Sequence, residues 1–174
     1  ELDVLVLALP VVMPGVVSQV VYEEPFRVVV PAAHPWAMRH SIKNDELEGE
    51  NLLLLGSGNC FREQVLEACP RLQRAEGLSG SLEGSSLETI RHMVASGAGI
   101  AVMPSSAADP LVGREPMVKV LPFDVKSAKG SAGTGIGRTV GLAWRATFPR
   151  PKAIDVVRQA ILSCALPGVS TSKS

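Results

Sequence analysis

Short apolar runs alternate along the chain with amphipathic segments of helical period, and this alternation constrains the fold more than any other feature. Val4–Leu9 is an uninterrupted apolar run closed by Pro10, and Leu52–Leu55 and residues 100–103 have the same character. Runs this short and this apolar are typical of buried strands. We therefore predict an α/β protein with mainly parallel sheets and helices on both faces.

Three further runs predict strands. Residues 16–21 and 26–30 are expected to form two strands separated by the acidic break Glu23-Glu24-Pro25. Residues 139–144 are expected to form another strand.

Two amphipathic segments predict helices with recognisable ends. Ser85 and Glu88 form a capping box at the start of a helix that Gly97 stops. A last helix is predicted over residues 152–166. Cys164 lies on the apolar stripe of that helix, so we expect it to be a structural core residue.

The charge balance argues against a nucleic-acid-binding surface in this segment. The 174 residues include 17 Lys+Arg and 17 Asp+Glu, for a formal net charge of zero, and no basic run. Any DNA contact is therefore expected elsewhere.

No apolar stretch reaches the ~18 residues that a membrane span needs, so no membrane association is expected. Three cysteines without C-x-x-C spacing do not make an extracellular disulfide framework, which favours a cytoplasmic location.

Neither a cofactor nor a metal ion is expected. The glycines at residues 133–137 resemble a dinucleotide loop only superficially, because they precede a strand rather than open a helix. His34, His40 and His92 lie apart, without a carboxylate or thiol at ligand spacing. His34 is expected to be structural, in a loop with Trp36.

Cys60 is the first candidate for chemistry. The strand Leu52–Leu55 runs into Gly-Ser-Gly-Asn at residues 56–59, and a helix is predicted to open at Cys60. A thiol in the first turn of a helix feels the positive end of the helix dipole and unpaired backbone N–H groups, which favour the thiolate. Arg62 adds a nearby positive charge. The local sequence leaves open the alternative that Cys60 is a small residue packed beneath a loop.

Cys69 follows nine residues later. Along a continuous helix, nine residues advance roughly 13.5 Å and turn by about 180°, so the two thiols would face opposite ways. A disulfide needs Cα atoms within about 7 Å, so Cys60 and Cys69 cannot be joined unless the segment between them unwinds. Phe61, Val65 and Cys69 share one helix face. Cys69 is therefore also expected to be a core thiol, and both descriptions can hold at once.

The segment Gly-Asn-Cys-Phe-Arg-Glu-Gln-Val-Leu-Glu-Ala-Cys at residues 58–69 is similar to the redox segment of OxyR regulators, the peroxide-sensing family among LysR-type transcription factors. The similarity includes the nine-residue separation of the cysteines. His-Pro-Trp-Ala at residues 34–37 and the stretch at residues 86–100 resemble LysR-type effector domains generally.

This resemblance implies a two-lobed domain like those of periplasmic binding proteins, without the DNA-binding domain and the first β/α units. It divides the chain into residues 1–23, the end of lobe I and the crossover; 24–128, lobe II with the redox cysteines; 129–137, a glycine-rich loop; 138–166, the return to lobe I; and 167–174, a polar tail.

The resemblance also implies a mechanism. Hydrogen peroxide would oxidise Cys60, the peroxidatic thiol, to a sulfenic acid that Cys69, the resolving thiol, captures as a disulfide. The implied partners are further copies of the chain in a homodimer or homotetramer, a thiol reductant system, and, through the full-length protein, promoter DNA and RNA polymerase. The implied role is that of a transcription activator and not of an enzyme.

Two supporting residues follow from the same resemblance. Arg138 stands where the family has an arginine that favours the thiolate. Asn59 stands where family members commonly carry His. Asn can donate a hydrogen bond to peroxide but cannot titrate. Arg62 is the third expected supporting residue, on the ground of its positive charge near Cys60 rather than of the resemblance.

Two other classes are compatible with the residues. The first is a LysR-type domain that binds a small anion at the helix start near Cys60, with the thiol incidental. The second is an enzyme with a cysteine nucleophile on a strand-turn-helix elbow. That elbow requires glycine two residues after the nucleophile, where this chain has Arg62.

Overall fold

A computed structural model describes residues 2–70, 72, 82–124 and 135–171 of the chain. The described strands are β1 (Val4–Leu9), β2 (Val16–Pro31), β3 (Leu52–Leu55), β4 (Glu83–Gly84), β5 (Ile100–Pro104), β6 (Val118–Pro122), β7 (Gly137–Arg145) and β8 (Ser170–Thr171). The described α-helices are α1 (Cys60–Ala68), α2 (Leu87–Ala95), α3 (Ser105–Ala108) and α4 (Pro151–Ser163). Short 3₁₀ helices cover Pro35–Met38, Asn44–Gly49 and Asp109–Leu111. The predicted α/β class is confirmed.

The long strand β2 organises the sheet. Its first part pairs with β7 and its second part with β5 and β6, so the backbone stays extended through Glu23-Glu24-Pro25. The expected break there is wrong, and only a register shift between Val20 and Tyr22 interrupts the ladder. The prediction assumed that two adjacent glutamates mark a solvated loop. The Glu24 carboxylate is instead buried and hydrogen-bonded, so the strand continues through it.

The strand directions differ from the expected mainly parallel arrangement. Among the described strands, the parallel pairs are β3 with β4 and β3 with β5. β1 pairs with β7, and β2 pairs with β5, β6, β7 and β8, in antiparallel fashion. Helical connections enforce parallel pairing where they link neighbouring strands. The antiparallel partners meet along β2 across long sequence separations, which a local pattern of strands and helices does not encode.

Among the residues that the structure describes, buried side chains form two separate clusters. The larger one surrounds the second part of β2 and includes the four leucines of β3, Phe61 and Val65 of α1, and Val94 of α2. The smaller one consists of Val21, Leu142 and Ile154 with partly buried neighbours. Helix α1 therefore rests on the larger core.

Helix ends differ in detail from the prediction. The cap of α2 is Ser86, whose Oγ accepts a hydrogen bond from the Thr89 N–H at 3.1 Å, and not Ser85. Both serines precede the apolar stripe, so the sequence could not choose between them.

Cys164 is exposed, so its expected place in the core is wrong. Helix α4 ends at Ser163, which leaves Cys164 in extended backbone beyond the stripe, where its Sγ donates to the Ala160 carbonyl at 3.3 Å.

No helix in the described ranges is long and apolar enough to cross a membrane.

The described part of the C-terminal segment includes a short strand. Ser170 and Thr171 pair with Glu23 and Tyr22 of β2 as strand β8. Gly168 makes the preceding turn with φ of 69°, a conformation that favours glycine. Most of the predicted glycine-rich loop 129–137 lies outside the described residues, as do Gly133 and Thr134 of the glycine pattern at 133–137. The residue boundaries of the two lobes stay predictions.

Candidate functional site

Cys60 is the first residue of α1, and its side chain is exposed. The buried strand β3 leads to a turn in which Gly58 has φ of 85°, a left-handed conformation that favours glycine. Asn59 then caps the helix, because its Oδ1 accepts a hydrogen bond from the Phe61 N–H at 2.9 Å. The structure therefore places the Cys60 thiol at the positive end of α1, accessible to a small solute.

Asn59 has a structural role that its expected role did not include. Its side-chain oxygen accepts the capping hydrogen bond, so this oxygen is already engaged within the helix terminus. The capping signal was readable in the sequence, since Asn is among the preferred N-cap residues.

Arg62 directs its guanidinium to the sheet. Its Nη1 donates to the Leu55 carbonyl at 2.9 Å and to Glu83 Oε1 at 3.0 Å, and only 13% of the side chain is exposed. These bonds join the ends of β3 and β4. A carboxylate therefore offsets the charge that the sequence placed near Cys60.

Arg138 connects α1 to the long strand. Its Nε and Nη2 each lie 2.7 Å from Glu24 Oε2, its Nη1 donates to Gln64 Oε1 at 3.3 Å, and its guanidinium lies 5.4 Å from the centre of the Phe61 ring. Gln64 and Phe61 both belong to α1. A change in α1 would therefore remove two of the contacts that position Arg138.

Glu24 is the site residue that the sequence did not indicate. Its side chain is fully buried, with Oε2 bound to Arg138 and Oε1 accepting from the Ser106 N–H at 3.1 Å. A buried carboxylate needs such partners. The one signal that could have identified it is an acidic residue separated only by Pro25 from the apolar run that begins at Phe26.

Cys69 lies at the opposite end of α1 and is completely buried. Its N–H donates to the Val65 carbonyl at 2.9 Å and ends the helix. Burial in the larger core raises the pKa of the Cys69 thiol to about 12. Both cysteines are free thiols. Nine residues of helix put them roughly 13.5 Å apart along the axis, too far for a bond.

His34 has the structural role expected of it. Its Nδ1 accepts a hydrogen bond from the Trp36 N–H at 3.1 Å, and the two rings meet edge to face at 5.1 Å. Within the described part of the chain, His, Cys, Asp and Glu side chains form no group suited to a metal ion.

Comparison with known proteins decides the family. A family model described as the LysR substrate-binding domain matches residues 1–164. The chain belongs to the LysR substrate-binding domain family. This LysR-type domain is 30% identical over 161 residues to the DNA-binding transcriptional dual regulator OxyR of Escherichia coli K12, an alignment that covers 92% of the chain and 49% of that protein. The domain thus spans about half the length of that relative.

Solved structures with the same fold include two reduced OxyR proteins. The domain is 40% identical to the reduced form from Neisseria meningitidis, with a TM-score of 0.82 over 98% of this chain and 76% of the other. It is 45% identical to the reduced regulatory domain from Pseudomonas aeruginosa, with a TM-score of 0.76 over 94% of this chain and 74% of the other. The LysR-type fold expected from the resemblance is thereby confirmed.

Proposed function

We propose that this LysR-type domain is the peroxide-sensing part of a transcription regulator, with Cys60 as the peroxidatic thiol and Cys69 as the resolving thiol. One observation carries the proposal: an exposed cysteine opens helix α1 and a buried cysteine closes it. The similarity to OxyR proteins supports hydrogen peroxide as the oxidant.

The proposed chemistry has two balanced steps. The Cys60 thiolate attacks one oxygen of hydrogen peroxide, the O–O bond breaks, and the leaving hydroxide takes a proton and departs as water. Sulfur is oxidised to the sulfenic acid while peroxide is reduced. The Cys69 sulfur then attacks the Cys60 sulfur, the S–S bond forms, and the sulfenic oxygen leaves as a second water.

Cys69 cannot take the second step from its position in the folded core. Its sulfur is buried and protonated, and the helix holds it beyond bonding distance of Cys60. Disulfide formation therefore requires α1 to unwind and Cys69 to leave the core. The unwinding also withdraws Gln64 and Phe61 from Arg138. Oxidation of Cys60 thereby changes the conformation of the segment that packs on the larger core.

The remaining parts of the proposal concern the full-length protein. A rearranged α1 changes how regulatory domains pack in a homodimer or homotetramer, and DNA-binding domains outside this chain respond on the promoter and act on RNA polymerase. A cytoplasmic thiol reductant system restores the two thiols.

Peptide mapping tests the disulfide directly. Trypsin cleaves after Arg62, which puts Cys60 in the peptide of residues 44–62 and Cys69 in the peptide of residues 63–71. One equivalent of hydrogen peroxide, followed by alkylation of free thiols and digestion, should yield these two peptides joined by a disulfide. A Cys69→Ser variant should instead accumulate a sulfenic acid on Cys60 that dimedone traps.

The exposed Cys164 provides the matched control. A Cys164→Ser variant should form the same crosslinked peptides at the same rate as the parent. A Cys60→Ser variant that still forms a peroxide-dependent crosslink at Cys69, or a parent protein that forms none, would contradict the proposal and favour the reading of Cys60 as incidental to an anion-binding domain.

A further inference from the structure

The C-terminal end of α1 is held by a side chain from outside the helix. The Nδ2 group of Asn44 donates a hydrogen bond to the Ala68 carbonyl at 3.1 Å. Ala68 is the last residue of α1 and directly precedes the buried Cys69. The last carbonyls of a helix lack partners within it, so this bond satisfies a group that would otherwise be open.

Asn44 is placed on a well-anchored element. It opens the 3₁₀ helix Asn44–Gly49, in which Leu47 is completely buried. The side chain of Glu46 accepts from the Lys43 N–H at 2.8 Å and from both terminal nitrogens of Arg39, at 2.7 and 2.9 Å. Asn44 therefore connects the last residue of α1 to an element with its own core contacts.

The hydrogen-bonding of Asn44 is incomplete in a way that packing alone does not explain. Its Oδ1 is buried without a hydrogen-bond partner. An unpaired buried oxygen has a cost, so of the two polar groups of this amide only the Nδ2 donor is used. The amide therefore points to a role for its donor group at the Ala68 carbonyl.

We propose that Asn44 is a positioning residue that retains the end of α1 and so sets the rate at which Cys69 is released to resolve the sulfenic acid. The gating role rests on the proposed function, because it presumes that Cys69 must leave the core to react. The tether to Ala68 lies next to that residue, so the bond must break as the helix end opens. A domain without it would convert the sulfenic acid to the disulfide faster.

Two variants separate the donor from the rest of the side chain. Asn44→Ala removes the whole amide, and Asn44→Leu keeps the approximate size of the side chain but has no donor for the Ala68 carbonyl. Asn51→Ala is the matched control, since the Asn51 Nδ2 also donates to a backbone carbonyl, that of Ala98, at 2.6 Å, away from α1. Urea unfolding of each reduced variant identifies general destabilisation.

The first measurement is independent of peroxide chemistry. In a Cys60→Ser, Cys164→Ser background, the rate at which an aromatic disulfide reagent labels Cys69 reports the opening of the helix end. Loss of one hydrogen bond should raise this rate about fivefold in both Asn44 variants, and Asn51→Ala should leave it unchanged. If Cys69 were labelled at the same rate in the parent and in both Asn44 variants, the proposed retention of the helix end by Asn44 would be wrong. An equal rise of the labelling rate in Asn51→Ala would also contradict it.

The second measurement follows the disulfide itself, with Cys60 and Cys69 present and Cys164 replaced by Ser. After a pulse of hydrogen peroxide, the sulfenic acid trapped by dimedone should disappear about fivefold faster in the Asn44 variants than in the parent. An unchanged rate despite faster labelling would overturn the gating role alone. If labelling of Cys69 were faster in the Asn44 variants but no protein formed the Cys60–Cys69 disulfide, the proposed function would be wrong and the gating role with it. The retention of the helix end by Asn44 would still be supported.

Discussion

Cys69 illustrates how the environment of a single residue determines when it can react. In the folded core its thiol is protonated, because burial raises its pKa from the ordinary 9.0 to about 12. A protonated thiol is a poor nucleophile. The same sulfur released into water would regain an ordinary pKa, so opening of the helix end both moves and activates it.

The buried thiol predicts a specific loss of stability at alkaline pH. The folded-state pKa lies above the unfolded-state value, so the stabilisation is fully present below about pH 9 and is lost as pH rises towards about 12. Between about pH 9 and about pH 11, the reduced protein should lose about 1.4 kcal/mol per pH unit more than a Cys69→Ala variant. Urea unfolding at several pH values with a reductant present measures this, and parallel pH profiles for the two proteins would refute it.

Helix α1 is the element on which the proposed switch depends. It has nine residues, and isolated helices of this length are marginal in water. Its persistence therefore depends on burial of its apolar face in the larger core, on the Asn59 cap, and on the Arg138 bond to Gln64 and the Asn44 bond to Ala68. A short helix held at a few points can open locally without unfolding the whole domain.

The Glu24–Arg138 pair behind α1 should contribute more to stability than a surface pair. Glu24→Ala leaves a half-buried guanidinium without its carboxylate and should cost about 3 kcal/mol of unfolding free energy. Glu88→Ala removes an exposed partner of Arg91, which also contacts Glu115, and should cost less than about 1 kcal/mol. Urea unfolding of the reduced proteins checks both, and equal costs would contradict the inferred importance of Glu24.

The elements that the sequence predicted correctly are those set by neighbouring residues. The leucines of β3, the start of α1 at Cys60 and the apolar stripe of α2 are local patterns, and each is present. The contacts that complete the site are not local. Arg138 and Glu24 are 114 residues apart in the chain, and a sequence pattern does not encode which distant carboxylate an arginine will meet.

At the scale of the whole molecule, the long strand β2 connects the two cores. Its first part contributes Val21 to the smaller core and its second part contributes residues such as Val29 to the larger one. Glu24 lies between these parts and binds Arg138, which contacts α1. A rearrangement of α1 is therefore coupled to the region where β2 passes from one core to the other.

Hydrogen–deuterium exchange before and after one equivalent of hydrogen peroxide tests the central claim most directly. The account predicts that the oxidised protein contains the Cys60–Cys69 disulfide and that amides of Cys60–Ala68 lose protection, while those of Leu87–Ala95 in α2 keep theirs. A Cys69→Ser variant should keep the protection of α1 after the same treatment. A protein that carries the disulfide with α1 fully protected would contradict the account.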